Sequence, residues 1–393
     1  MRFLWFGSYA KGEGYPRSGT LLAGLRSLGH TVEEVHAPLM EGASHRVETA
    51  RGGGAARLAW RQATAAASLA RQWFRAGVHD VAVVGYGGLL DVAILRLLQN
   101  LDRLPVVWDA FVPLYDSVVR DRGLAAPDSF RARTLLRMER TSGRMADLVL
   151  ADTAAHAALL REDLGLPEGR TAVVPIAQED PGPPRPLPDG AVLRVLLVAS
   201  HVPLHGVLHV IEAARRLGGR GVAIEIVGAG QGVGEAFEAA RGVEGLTVVP
   251  EFLPAEEVAR RYAASHVGLG IFGDTDKAAR VVPLKAALTL AHGRVLVTRS
   301  GPAADEALAG AAVLVPPADP ASIAEVLAHL RDDRGAVLRL AATGRRRYEE
   351  RFTPEAAAAA LAQAVAPLVA GALTGRRGGG DPPGPSSPPV PGS

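Results

Sequence analysis

The strongest constraint on this chain is a rhythm: short runs of Val, Leu and Ile alternate with helical stretches from end to end. Compact apolar runs bounded by turn residues suit strands buried on both faces, and helices between them point to parallel sheets. The first half offers strands at Arg2–Phe6, Thr31–Val35, Asp80–Val84, Pro105–Phe111, Asp147–Ala151 and Thr171–Ile176. Helices fit between them, notably Ser18–Leu28, Leu89–Leu101, Ser129–Met145 and Ala154–Asp163. The rhythm then stops at Gln178–Gly190, QEDPGPPRPLPDG, with five prolines in thirteen residues. Proline neither donates to a ladder nor continues a helix, so this segment reads as a linker.

The alternation restarts with strands at Leu193–Ala199, Val222–Val227, Leu246–Pro250, Val267–Phe272, Arg294–Thr298 and Ala312–Val315. The helices expected there are His209–Leu217, Val233–Arg241, Ala255–Ser265, Pro283–His292 and Ile323–Leu330. The expected architecture is α/β: two doubly wound domains, residues 1–177 and 191–352, facing across a cleft and joined by linker 178–190. A helix over 353–373, nearly all Ala, Val and Leu, needs a cover and is expected to return to the first domain. From 375 to 393 six glycines and six prolines stand in nineteen positions, so 374–393 reads as a disordered tail.

Composition narrows the function classes. A length of 393 residues suits two or three domains, and 48% hydrophobic with 21% charged residues excludes wholesale disorder. The lack of cysteine excludes disulfide scaffolds, thiolate metal sites and a cysteine nucleophile. A net charge of +2 gives no reason to expect nucleic acid as a partner. No run approaches the roughly 20 apolar residues of a membrane span, and the first apolar run is short for a secretory signal. The expected address is cytoplasmic.

Open parallel sheets bind ligands at the carboxyl ends of their strands, and a cleft between two such domains is the candidate site. The loop Gly7–Gly14 after the first strand carries Gly7, Lys11 and Gly12, where bare backbone suits approach to a phosphate. Its spacing is not that of the dinucleotide fingerprint, and a glycine-rich surface turn is the other reading. Gly228, Gly230 and Gln231 occupy the analogous place in the second half. Between Leu269 and Gly293, a strand ends at Phe272 and a helix begins at Pro283, bracketed by Lys277, Arg280 and Lys285. Three cations at a helix opening attract a diphosphate; the alternative is a solvated basic loop. Of 43 basic residues only Lys11, Lys277 and Lys285 are lysine, and all three fall in these loops.

The segment LGIFGDTDKAARVVPLKAALTLAHG resembles the sugar-nucleotide site of glycosyltransferase family 4. The matching positions are Leu269–Gly273, Lys277, Arg280–Pro283, Lys285, Ala291, Gly293, Val297–Thr298, Pro302–Ala303 and Glu306. Other blocks agree, including Trp108–Phe111, Leu114–Asp116, Asp121–Arg122, Asp152–Thr153 with His156, and Pro203–Gly206. The resemblance spans residues 1–370 and implies the GT-B fold, two Rossmann-like domains with a C-terminal helix crossing back. It implies retaining transfer of a sugar from a nucleotide-diphosphate donor to an unidentified acceptor, with no bound metal and no further cofactor. On that footing Gly7, Lys11, Gly12, Lys277, Arg280 and Lys285 hold the diphosphate. Gly228, Gly230, Gln231, Phe272, Gly273 and Leu288 border the nucleotide, and His205, Gly206 and Glu306 complete the cleft. Asp109, at a strand end, is the candidate catalytic residue; its alternative is a structural aspartate bonded to backbone. A lipid-linked acceptor would place the protein at the inner face of a membrane without a spanning segment.

The chain departs from the family where two carboxylates eight positions apart are usual: Arg280 and Leu288 stand there, and Leu284 replaces the usual Asn. Leucine accepts no hydrogen bond from a ribose, so a second reading is a glycosyltransferase-like binding partner that has lost turnover. A third, a nucleotide-dependent oxidoreductase or epimerase, lacks the dinucleotide spacing and the acidic residue expected about 20 positions on.

Overall fold

The computed structural model describes residues 1–9, 16–38, 55–99 and 104–377. Among the described residues the apolar runs form twelve strands in two six-stranded sheets, and every ladder is parallel. The first sheet contains β1 (Arg2–Gly7), β2 (Thr31–His36), β3 (Val81–Val84), β4 (Val106–Phe111), β5 (Leu148–Ala151) and β6 (Thr171–Val173), ordered β2-β1-β3-β4-β5-β6. The second contains β7 (Leu193–Val198), β8 (Val222–Val227), β9 (Leu246–Val249), β10 (Val267–Leu269), β11 (Val295–Arg299) and β12 (Val313–Val315), ordered β12-β11-β10-β7-β8-β9.

Around the first sheet lie α1 (Pro16–Ser27), α2 (Ala55–Trp73), α3 (Asp91–Gln99), α4 (Phe130–Met145) and α5 (Ala154–Leu164). Around the second lie α6 (Val207–Leu217), α7 (Val233–Ala239), α8 (Ala255–Ala263), α9 (Asp276–Arg280), α10 (Leu284–Ala291), α11 (Pro302–Leu308), α12 (Pro320–Asp332) and α13 (Arg334–Arg351). The last helix is α14 (Pro354–Arg377).

Period-two geometry explains why both faces of the first sheet are apolar. Leu4 and Phe6 of β1 join one core with Val84, Trp108 and Val149, while Phe3 and Trp5 point to the other face. That second face is covered by α1 and α14, through Leu21, Leu22 and Leu25 against Ala357, Ala358, Leu361 and Val365. The two helices touch closely at Gly24, where a Cβ would come 2.0 Å from the Pro354 carbonyl. Composition alone makes 334–372 apolar enough to cross a membrane, with a mean hydropathy of 1.4 in its richest window. Here that stretch is two helices, and α14 buries its apolar stripe on the first sheet.

Between the sheets, Gln178–Gly190 runs without helix or strand. At the point where the chain leaves the first sheet, the Gln178 amide donates to the Phe352 carbonyl (2.9 Å) and Tyr348 Oη donates to the Gln178 carbonyl (2.8 Å). The outgoing and returning chains are thereby tied together.

Several elements differ from the sequence expectation. Strand β10 ends at Leu269, although the backbone stays beside β11: the Gly270 amide donates to the Val297 carbonyl (2.8 Å) and the Ile271 carbonyl accepts from the Arg299 amide (2.9 Å). Helix α14 continues to Arg377, past the expected 373 and into the tail expected over 374–393; the rest of that tail, 378–393, lies outside the described residues. The helices α2, α9 and α11 and a π-helical turn, Asp116–Asp121, were not anticipated.

Candidate functional site

In the second sheet the chain order reverses between β7 and β10, which opens a crevice at their carboxyl ends. The loops that leave these strands, 199–206 and 270–283, are pressed together. The Phe272 and Gly273 amides donate to the carbonyls of His205 (3.2 Å) and Leu204 (3.1 Å). A Cβ on Gly206 would fall 2.5 Å from the Gly273 nitrogen, and one on Gly273 would fall 2.5 Å from the Pro203 carbonyl. Only glycine allows backbones this close, and Gly206 also has a positive φ of 62°.

Lys277, Arg280 and Lys285 all lie on the segment that follows β10, and His205 senses the charge of both lysines. Thr275 caps α9 by accepting from the Ala278 amide (3.2 Å), which fixes Lys277 and Arg280 on one short turn facing the first domain. Pro283 then caps α10, so Lys285 sits in the first turn of an eight-residue helix, where unpaired N–H groups favour an anion. Lys285 Nζ is buried and has no hydrogen-bond partner. Burial alone pushes this ammonium down from 10.5 to about 7.

The other two cations have found carboxylates. Arg280 Nη2 donates to Asp116 Oδ1 (2.8 Å); Lys277 Nζ donates to Ser117 Oγ (2.9 Å) and lies 3.5 Å from Asp121 Oδ2. Burial lowers the Lys277 pKa, against the pull of Asp121 and Asp116, which favour its charge. His205 lies among these groups. Burial first, then Lys285, His201, Arg122 and Lys277, holds its pKa well below 6.5, so the ring is neutral. Its Nδ1 accepts from the Ser200 amide at 3.1 Å, which leaves the proton on Nε2.

The remaining candidates are placed differently. Gln231 borders a cavity of about 350 Å³ beside this crevice, with His201, Pro203, Gly206, His209 and Glu235. Gly228 and Gly230 lie against the backbone of Ala199 and Ser200 and so fix the loop after β7. Phe272 is fully buried in the core of the second domain, so its ring does not line the crevice: the short β10 turns it inward. Leu288 packs on a small apolar cluster with Leu196, Val227 and Tyr262. Glu306 pairs with Arg351 at 2.8 Å, in a separate recess with Asp152 and Thr153.

Asp109 is held by a side chain, Arg17, and not by the backbone of its structural alternative. It is wholly buried, and Arg17 grips both its oxygens: Nε at 3.1 and 2.9 Å, Nη2 at 2.8 Å. Arg17 also donates to the carbonyls of Val174 and Pro175, tying α1 to the ends of β4 and β6. The three contacts from Arg17 engage both carboxylate oxygens of Asp109. At Gly7 a Cβ would lie 2.6 Å from Asp91 Oδ2, and that oxygen accepts from the Ser8 amide at 2.6 Å. The Asp91 carboxylate thus holds the start of the loop that was expected to meet a phosphate. Lys11 and Gly12 lie outside the described residues.

Sequence reasoning passed over Arg17, Asp91, Ser117 and Glu139, and it read Asp116, Asp121 and Arg122 only as part of the family-like blocks, not as partners of the cations. Glu139 of α4 is buried and accepts from the amides of Leu114 (2.6 Å) and Tyr115 (3.1 Å), which anchors the start of the π-helical turn. Its burial raises its pKa from 4.5 to about 7. Asp116 and Asp121 are five apart, the spacing that π-helical winding brings to one side. That spacing was the available signal.

Residues 16–177 match the family model described as a glycosyl transferase 4-like domain. No curated protein matches the chain by sequence. Solved structures match nearly all of it. Sucrose-phosphate synthase from Thermosynechococcus elongatus is 17% identical, with a TM-score of 0.67, covering 94% of this chain and 99% of that one. Anabaena HepE in complex with UDP and glucose is 14% identical, with a TM-score of 0.63, covering 93% and 98%. A UDP-forming alpha,alpha-trehalose-phosphate synthase from Burkholderia vietnamiensis is 13% identical, with a TM-score of 0.64, covering 94% and 98%. The chain has the GT-B fold of glycosyltransferases, with a first domain that matches the glycosyl transferase 4-like family over residues 16–177.

Proposed function

We propose that the protein is a glycosyltransferase that moves a sugar from a nucleotide-diphosphate sugar to an acceptor hydroxyl, with retention and without a bound metal. The observation that carries this reading is Lys285: a buried ammonium with no partner, in the first turn of a helix, at the crevice where the chain order reverses. Burying a charge unpaired is costly, and the site is completed by an anion. A diphosphate suits it because Lys277 and Arg280 approach from the adjoining turn.

In transfer, the bond between the anomeric carbon and the diphosphate oxygen breaks, and its electron pair leaves with the nucleotide diphosphate. Lys285, Lys277 and Arg280 stabilise the charge that develops, aided by the N–H groups opening α10. The acceptor oxygen bonds the anomeric carbon on the same face, and its proton passes to the departing phosphate. His205, neutral with its proton on Nε2, is a hydrogen-bond donor beside these cations and withholds no charge from them. UDP is the favoured carrier, since structures of similar fold are described with UDP and UDP-glucose.

One observation favours a second reading, a partner that binds without turnover. Leu288 sits in an apolar cluster and provides no acceptor for a ribose hydroxyl. Calorimetry against UDP-glucose, GDP-mannose and dTDP-glucose, followed by an assay of nucleotide release, separates the two. Saturable binding abolished by Lys285→Ala, with slow donor hydrolysis, supports the enzyme. Binding without release under any acceptor supports the partner, and no binding at millimolar donor sinks the donor site itself.

A further inference from the structure

The cations that the donor reading assigns to a diphosphate are already in contact with anions of the same chain. Asp116 and Asp121 project from the π-helical turn of the first domain, and both side chains are fully buried. Arg280 and Lys277 reach them from the second domain, across the cleft. These contacts are incomplete. Asp116 Oδ2, both oxygens of Asp121 and Arg280 Nε make no hydrogen bond. The pair Arg17–Asp109, inside one domain, shows the contrast: three hydrogen bonds engage both carboxylate oxygens. A bidentate pair of that kind is built to stay, whereas a single-point pair between domains yields readily to a better anion.

We propose that Asp116 and Asp121 are an internal stand-in for the donor's diphosphate. In the donor-free protein they hold Lys277 and Arg280 and keep the cleft closed; donor enters by taking over these cations and releasing the turn. Charge supports the exchange. Asp116 also lies 3.8 Å from Arg120 of its own turn, so it keeps a partner when Arg280 leaves, and Lys285 stays unpaired until the diphosphate arrives. A π-helical turn anchored at its start by Glu139 is a suitable element to release, because such turns are rare and concentrate where a helix must change. This inference rests on the donor reading given above.

The test uses the full chain with UDP-glucose as probe. The double variant Asp116→Asn/Asp121→Asn is expected to bind UDP-glucose more tightly than wild type, by a factor within the roughly 5- to 150-fold span of coupled equilibria. In wild type, saturating UDP-glucose is expected to speed amide hydrogen exchange over 114–122 while slowing it over 270–291. This second measurement decides the matter even where the variant fails to fold. Equal or weaker binding by a folded variant overturns the stand-in while leaving the donor site intact. So does unchanged or slower exchange over 114–122 in wild type. If neither protein binds UDP-glucose, the donor reading falls and the stand-in with it.

Discussion

Replacing Lys285 by Met tests the site through two effects of opposite sign. The side chains are similar in length, so the change removes the charge with little loss of packing. The fall from 10.5 to about 7 amounts to about 4–5 kcal/mol at 1.36 kcal/mol per unit. Relaxation around the partly exposed stem reduces this, and about 2–4 kcal/mol of destabilisation remains to be relieved. For a domain of this size that raises the melting temperature by roughly 5–15 °C. The gain depends on pH in a defined way. The unfolded lysine binds more protons than the folded one between about 7 and 10.5, so wild-type stability rises with pH across that window. The advantage of Lys285→Met is therefore full below pH 7 and fades toward pH 10.5. Calorimetric affinity for UDP-glucose should move the other way, falling about 10- to 100-fold with the loss of a charge-assisted contact. A lower melting temperature, or unchanged affinity, would refute the claim that this ammonium awaits an anion.

Binding itself should depend on pH, because a bound diphosphate raises the Lys285 pKa: UDP-glucose affinity is strongest below pH 7 and declines above it, with proton uptake measurable by calorimetry in buffers of different ionisation enthalpy. Asp109→Ala leaves the buried Arg17 charge without its counter-ion and should destabilise the protein by about 3–5 kcal/mol in urea unfolding; lost turnover at unchanged stability would instead support a catalytic role for Asp109. Glu139 is held at about 7, so the folded state binds its proton more tightly than the unfolded state from pH 4.5 to 7. Its contribution is full below 4.5 and lost as pH rises through 7, and Glu139→Gln should flatten that part of the stability profile relative to wild type. Parallel profiles for the two proteins would contradict the assignment.

The twelve strands were legible because apolar runs of this kind have few other uses. The three cations were legible because a strand, a polar loop, Pro283 and a helix follow one another within a short segment. What the sequence hid was pairing across distance. Nothing near Asp109 marks Arg17, which lies 92 positions away, and nothing in the Gly7 loop marks Asp91. Phe272 read as a cleft aromatic because the strand was expected to run to it; the strand ends at Leu269, and the ring turns into the core. Asp116 and Asp121 lie on one side only because the turn between them is wound wider than an α-helix. Helix α2 was missed because its alanine- and arginine-rich stretch holds no run of Val, Leu and Ile, although Ala65 and Leu69 meet the first core.

The tie between Gln178 and Phe352 sets how the two halves can move. The polypeptide crosses from one half to the other twice, once outward before the proline-rich segment and once back into α14, and both crossings meet at that tie. Two crossings set far apart would act as a door hinge and confine motion to one axis. Crossings fastened at one place act as a pivot, so the jaws can swing and also twist, and displacement grows with distance from it. Cutting the chain after Phe352 would do more than free an end: it would strip the cover from Leu21, Leu22 and Leu25 and remove one of the two strands that make the pivot.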